Sequence, residues 1–196
     1  MTTQQNARVG TNRRIFLFGA TACTAGLVVA ASTGRGLAAP ALHREMGDFR
    51  RLKLTNWRTG ESIDCVYYAD GHYIGEAMRA FDHVLRDWRA EKTIEIDRNA
   101  IDILAAVQRK LECEEAFEVV SGYRSAATNA MLRRRSRGVA RKSYHVQGMA
   151  VDVAMKTRSV RQISGAAMSV ARGGVGKYSR AEFVHMDSGP VRDWGR

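Results

Sequence analysis

Two short stretches hold residues whose types and spacing could do chemistry. In "SYHVQGMAVD", Ser143–Asp152, a histidine and an aspartate stand seven residues apart with a glycine between them. In "EFVHMD", Glu182–Asp187, a second histidine sits inside an apolar run. If 149–154 is a strand, side chains alternate across it, so Met149, Val151 and Val153 share one face and Ala150, Asp152 and Ala154 the other. A carboxylate on such a strand needs a cation or several donors. Gly148 frees the backbone before the strand, so that His145 can swing back over the Asp152 face. In "EFVHMD" the same alternation puts Phe183, His185 and Asp187 together. His145, Asp152 and His185 on neighbouring strands can form a three-ligand Zn2+ site with an open fourth position, which activates water towards a carbonyl. Taken singly, His145 and His185 read better as ordinary core or surface histidines and Asp152 as a turn cap.

These residues must be positioned by the elements around them. "FRRLKLTNWRTGESIDCVYYADGHYI" alternates apolar and polar residues, with turn signals at Thr59-Gly60 and Asp70-Gly71, and predicts two or three short strands. From Gly75 to Arg89 the spacing of Ala77, Met78, Phe81, Val84, Leu85 and Trp88 predicts a helix. A second helix is expected from Arg98 to Glu112, with Asp97 as its N-cap. "FEVVSGYRS" predicts a strand ending at Gly122, and "AATNAMLRRRS" a short helix. The strand "GMAVDVAM" follows, then a helix from about Ser159 to Ala171, a glycine-rich turn "GGVGKYSR", and a final strand "EFVHMD". Strands and helices do not alternate regularly. The expectation is an α+β domain, an antiparallel sheet backed by helices.

The chain has 196 residues, 45% hydrophobic and 26% charged, and a net charge of +11. Arg8, Arg13, Arg14 and Arg35 supply +4 of this within residues 1–41, which contain no acid, leaving +7 on the remaining 155 residues. A basic surface suits an anionic partner. The start has the layout of an export signal: a polar beginning, the Arg13–Arg14 pair, an apolar run from Ile15 to Ala31, and a small-x-small cleavage site at Ala39-Pro40-Ala41. The paired arginines followed by Ile15, Phe16 and Leu17 are similar to a twin-arginine signal. The run falls short of the roughly 20 strongly apolar residues of a membrane span. Residues 1–41 are therefore expected to be a signal peptide and 42–196 the functional domain. The chain is expected to use the twin-arginine export machinery, to reside in the periplasm, and to keep no stable membrane span after signal removal. Cys65 and Cys113 remain in the mature part, and the sequence leaves open whether they pair. His72 and His83 have no partner pattern and read as structural or exposed. The basic run Arg133–Lys142 could suggest nucleic acid. An exported protein meets little of it, so no nucleic-acid partner is expected, and the run reads as groove lining or a solvated helix face.

Several ordered motifs carry a resemblance. "SGYRS" with an asparagine four residues on, "SxHxxGxAxD", "GGVGxY" and "FVHxDxGPVRxW" resemble the zinc murein peptidases of the D-Ala-D-Ala peptidase group, within the class that includes hedgehog signalling domains. The YcbK-like murein endopeptidases are the branch most similar. The likeness runs from about Phe49 to Trp194. It implies a hedgehog/D-Ala-D-Ala-peptidase-like fold, a Zn2+ cofactor on His145, Asp152 and His185, and peptidoglycan as substrate. By the same pattern Arg124 contacts the substrate and stabilises charge on the carbonyl oxygen, and Ser143 is a candidate substrate-binding hydroxyl. The general base is left between two carboxylates. Glu182 fits a Glu-x-x-His spacing, although in a regular strand it faces away from His185. Asp187 shares the His185 face and is either a base or a partner that orients the imidazole. The expected activity is a zinc-dependent murein endopeptidase cutting peptide cross-links. The alternative is a non-hydrolytic peptidoglycan-binding protein that keeps the fold.

Overall fold

A computed structural model describes residues 15–16, 46–136 and 138–195. The rest of the expected signal segment 1–41 lies outside the described residues. Strands are β1 (Ile15–Phe16), β2 (Phe49–Asn56), β3 (Ser62–Ala69), β4 (His72–Tyr73), β5 (Phe117–Ser121), β6 (Ala150–Ala154), β7 (Gly174–Tyr178), β8 (Phe183–Asp187) and β9 (Arg192–Gly195). Helices are α1 (Gly75–Val84), α2 (Arg98–Lys110), α3 (Ala126–Arg135) and α4 (Val160–Ser169).

The strands form one sheet in the order β1-β3-β2-β5-β6-β8-β7-β9, with β4 paired to β3. The α+β class holds, but the sheet is mixed rather than antiparallel. β2 runs parallel to β5, β7 to β9, and β1 to β3. Between β2 and β5 the chain passes through β3, β4, α1 and α2, and it enters β5 in the direction of β2 on the edge opposite β3.

Alternation sorts the side chains. Leu54, Phe117, Val119, Val153, Val151, Val184 and Met186 fall on one face and are buried. Helices α1, α2 and α4 pack on the sheet there and bring Phe81, Ile101, Leu104, Ile163 and Ala167 into one core. Caps fix where the helices begin. Asp97 accepts the Asn99 N–H at 2.8 Å, Ser125 that of Thr128 at 3.2 Å, and Ser159 with Gln162 forms a capping box.

Helix α1 stops at Val84, five residues before the expected Arg89. Asp87 takes the Arg89 and Ala90 N–H groups on its carboxylate at 3.1 and 3.4 Å, which competes with helical bonding and turns the chain. The expected turn at Gly173–Arg180 is instead mostly the strand β7, and β9 was not expected at all. No helix among the described residues is long and apolar enough to cross a membrane.

Candidate metal centre

The opposite face of the sheet carries the polar residues, and its register aligns them. Ser121 on β5 pairs with Asp152 on β6, Asp152 with His185 on β8, His185 with Gly176 on β7, and Gly176 with Trp194 on β9. One row of residues therefore crosses five strands. The next row is Ala150, Asp187, Gly174 and Arg192. A bulge between Val119 and Ser121 brings Ser121 into the first row.

His145 joins from outside the sheet, on a 3-10 turn, Tyr144–Gln147, that ends at Gly148 with φ of 70°. A side chain at Gly148 would come within 2.9 Å of the Glu95 carbonyl, so glycine is needed twice over. The His145 ring is held by the Gly122 carbonyl, 2.8 Å from Nδ1. Gly122 in turn lies against the Leu85 backbone, where a Cβ would meet the carbonyl oxygen at 2.3 Å.

The three expected ligands converge. His145 Nε2 lies 3.2 Å from Asp152 Oδ1 and 3.2 Å from His185 Nδ1, and His185 Nδ1 lies 2.9 Å from Asp152 Oδ1. A carbonyl only accepts, so His145 Nδ1 carries the proton and Nε2 presents a lone pair. His185 Nε2 faces Asp187 Oδ2 at 2.9 Å, which assigns its proton there and aims Nδ1 at the cluster. Two imidazole nitrogens and a carboxylate oxygen then meet with no donor among them unless a proton or a cation is added. Tetrahedral bonds of about 2.0–2.1 Å put ligand atoms about 3.3 Å apart, close to the spacings here. Among the described residues this is the group of histidine, cysteine and acidic side chains able to hold a metal.

The electrostatics agree. Burial lowers the pKa of His145, keeping it neutral as a ligand must be. Burial would raise that of Asp152, but the adjoining imidazoles outweigh it and hold the carboxyl ionised, well below the usual range. Burial also works against charging His185, yet its hydrogen bonds to Asp152 and Asp187 prevail and raise it to about 9. A cation held here would take the place of the His185 Nδ1 proton.

Arg124 donates from Nη2 to Asp152 Oδ2 at 2.6 Å and from Nε to Ser121 Oγ at 2.8 Å. Ser143 is buried in the wall of a cavity of about 550 Å³ that opens over the cluster. Asp187 is 1% exposed and fully engaged. Oδ1 accepts from Gly174 N, Gly189 N and Arg192 Nη1, and Oδ2 from His185 and Arg192 Nη2. It orients His185. Glu182 is not brought into the cluster. It is exposed, with φ of 57°, just before β8 begins at Phe183, and it lines a neighbouring hollow. Sequence reasoning had not singled out Arg192 and Trp194. Arg192 holds Asp187 and lies over the Tyr144 and Trp194 rings, and Trp194 lies 5.2 Å from the His185 ring. Their signal was the motif "GPVRxW". Lys142 and Val139, from the basic run, line the same cavity. Cys65 and Cys113 are unpaired; His72 and His83 lie exposed, away from the cluster.

A protein-family model described as peptidoglycan L,D-endopeptidase MepK matches residues 44–194. The chain belongs to this family. Peptidoglycan L,D-endopeptidase MepK of Escherichia coli (strain K12) is 44% identical over 145 residues, 74% of this chain and 80% of the relative. A probable peptidoglycan L,D-endopeptidase MepK of Haemophilus influenzae is 37% identical over 146 residues, 74% of this chain and 78% of the relative. Family membership bears out the resemblance to murein endopeptidases. Among solved structures, the Serratia marcescens L-Ala D-Glu endopeptidase ChiX aligns over 39% of this chain and 62% of its own. Its identity is 23% and its TM-score 0.32, a likeness too slight to build on.

Proposed function

We propose that the chain is a zinc-dependent endopeptidase hydrolysing peptide cross-links of peptidoglycan, including the L,D type for which its relatives are named. The observation that carries this reading is the convergence of two imidazole nitrogens and one carboxylate oxygen at 2.9–3.2 Å beneath an open cavity. His145, Asp152 and His185 would hold the ion. When bound, zinc supplies a Lewis acid that polarises a carbonyl and lets water give up a proton near neutral pH.

The other roles fall to the chain's own side chains. Arg124 spends Nε and Nη2 on Ser121 and Asp152, leaving Nη1 for the oxygen of the scissile carbonyl as charge develops on it. The Ser143 hydroxyl is available to a peptide group of the substrate. Asp187 has no free oxygen for proton transfer. Glu182, whose carboxylate is uncommitted, is the proton acceptor in this reading. It stands at the rim where Ala181 borders both hollows, and its left-handed backbone frees it from strand parity. The arginine pair Arg13–Arg14 and the apolar run after it support export by the twin-arginine machinery to the periplasm, where this substrate lies.

The test is metal content and muropeptide analysis of the purified chain and of His185→Ala. About one zinc per chain is expected, with cross-linked dimers disappearing in a manner that a chelator and the substitution both abolish. Metal bound with every dimer type left intact would favour a non-hydrolytic murein-binding protein.

A further inference from the structure

A second hollow of about 830 Å³ adjoins the cavity over the metal centre on the same face of the sheet, and Ala181 lines both. Its floor includes Glu118 and Val120 of β5 and Ala154 of β6. Trp57, at the end of β2, lines it and is 61% exposed. Its indole offers an aromatic face at the mouth of the hollow. The Arg58 guanidinium lies over the Trp57 ring at 4.8 Å and braces it.

The two hollows differ in charge. The one over the metal centre is lined by Arg124, Lys142 and Arg192 against Asp152 alone, which suits a carboxylate-rich peptide. In the second, Lys156, Arg158 and Arg161 face Glu118 and Glu182, so the two signs nearly balance, and part of the charge is spent internally. Lys156 pairs with Glu118 at 3.3 Å, and Arg158 donates to the Leu111 and Thr157 carbonyls. Beside the aromatic face stand Thr157 and Ser159, with Arg161 and Glu182 as a nearly balanced pair of charges. That combination matches a sugar ring, whose C–H face is apolar and whose edge carries hydroxyl and amide groups.

Spacing fits as well. The Trp57 N–H donates to the Val119 carbonyl, beside β5, so Trp57 lies at the β2 position, two strand spacings or about 10 Å from the strand of Asp152. Three extended residues span about 10 Å. We infer that the Trp57 hollow binds the N-acetylated amino-sugar chain from which the cleaved stem peptide hangs. This rests on the proposed function, and it makes Trp57 a specificity residue outside the chemistry.

The experiment compares two substrates, a cross-linked muropeptide dimer carrying its sugars and the same peptide dimer with the sugars removed by an amidase. The expected wild-type kcat/KM is about fivefold higher for the sugar-bearing dimer, with the difference in KM. Trp57→Ala should bring the ratio to about one, and Trp57→Phe should keep most of it. A wild-type ratio of one, or a ratio that Trp57→Ala leaves unaltered, overturns the inference. If neither dimer is cut, the hydrolase reading fails instead. Titration with an N-acetylglucosamine oligomer, followed by the indole N–H resonance of Trp57, then still decides the hollow: a shift upholds sugar binding and its absence overturns it.

Discussion

His185 Nε2 lies 2.9 Å from Asp187 Oδ2, and that contact decides which nitrogen of the ring faces the cavity. Asp187 is itself held by Arg192 and by two backbone N–H groups, so the orientation of a candidate metal ligand is set by residues outside the converging three.

Asp187→Asn should therefore weaken zinc about 10–100-fold without abolishing the site. Competition with a chromogenic chelator measures this, and activity should return in excess zinc. Activity that stays lost at saturating zinc would point to a direct chemical role for Asp187.

Glu182→Gln separates the two carboxylates. With the metal retained, kcat should fall by about 10²–10⁴-fold while KM moves little. Full activity in this variant would remove Glu182 as proton acceptor.

Gly122→Ala probes the support of His145. Its methyl group would meet the Leu85 carbonyl at 2.3 Å, so the strand end must shift and carry the Gly122 carbonyl away from His145 Nδ1. A stability loss of about 1–3 kcal/mol is expected, together with lower zinc affinity. A variant as stable as wild type with unaltered affinity would show that the strand end yields freely.

Asp87 gives a pH signature outside the cluster of His145, Asp152 and His185. Burial opposes its charge, but bonds from Thr128, Ser125 and Arg89 outweigh burial and lower its pKa. Its folded value thus lies below the unfolded value of about 3.9, so its stabilisation is complete above that pH and drains away as pH falls through the folded value. Asp87→Asn should lower Tm by about 2–8 °C at pH 7, with the gap to wild type narrowing as pH falls below the unfolded value of about 3.9. A gap that persists undiminished in acid would mean that the carboxylate charge contributes nothing.

The ligands could be read because strand alternation places Asp152 and His185 without any tertiary knowledge, and Gly148 announces the turn that returns His145. Helix α1 showed in its apolar spacing and α2 in its Asp97 cap, and α3 and α4 were also expected near where they lie. β7 did not show. Its glycines lie where other side chains cross the sheet: a Cβ at Gly176 would strike the Trp194 indole at 2.7 Å, and one at Gly174 the Arg192 guanidinium at 2.3 Å. A strand stripped of side chains to admit its neighbours has no alternation to detect. The parallel pairing of β7 with β9 was hidden for the same reason. The early end of α1 was hidden because Asp87 reaches across to Ser125, 38 residues away, at 2.9 Å.

The direct pairing of Asp152 with His185 also constrains how the chain can misfold. A slip of one residue between β6 and β8 would turn one of the two side chains to the apolar face. Such a mispaired chain could not bring His145, Asp152 and His185 together, so an ion held by the aligned three would act as a proofreader of strand pairing.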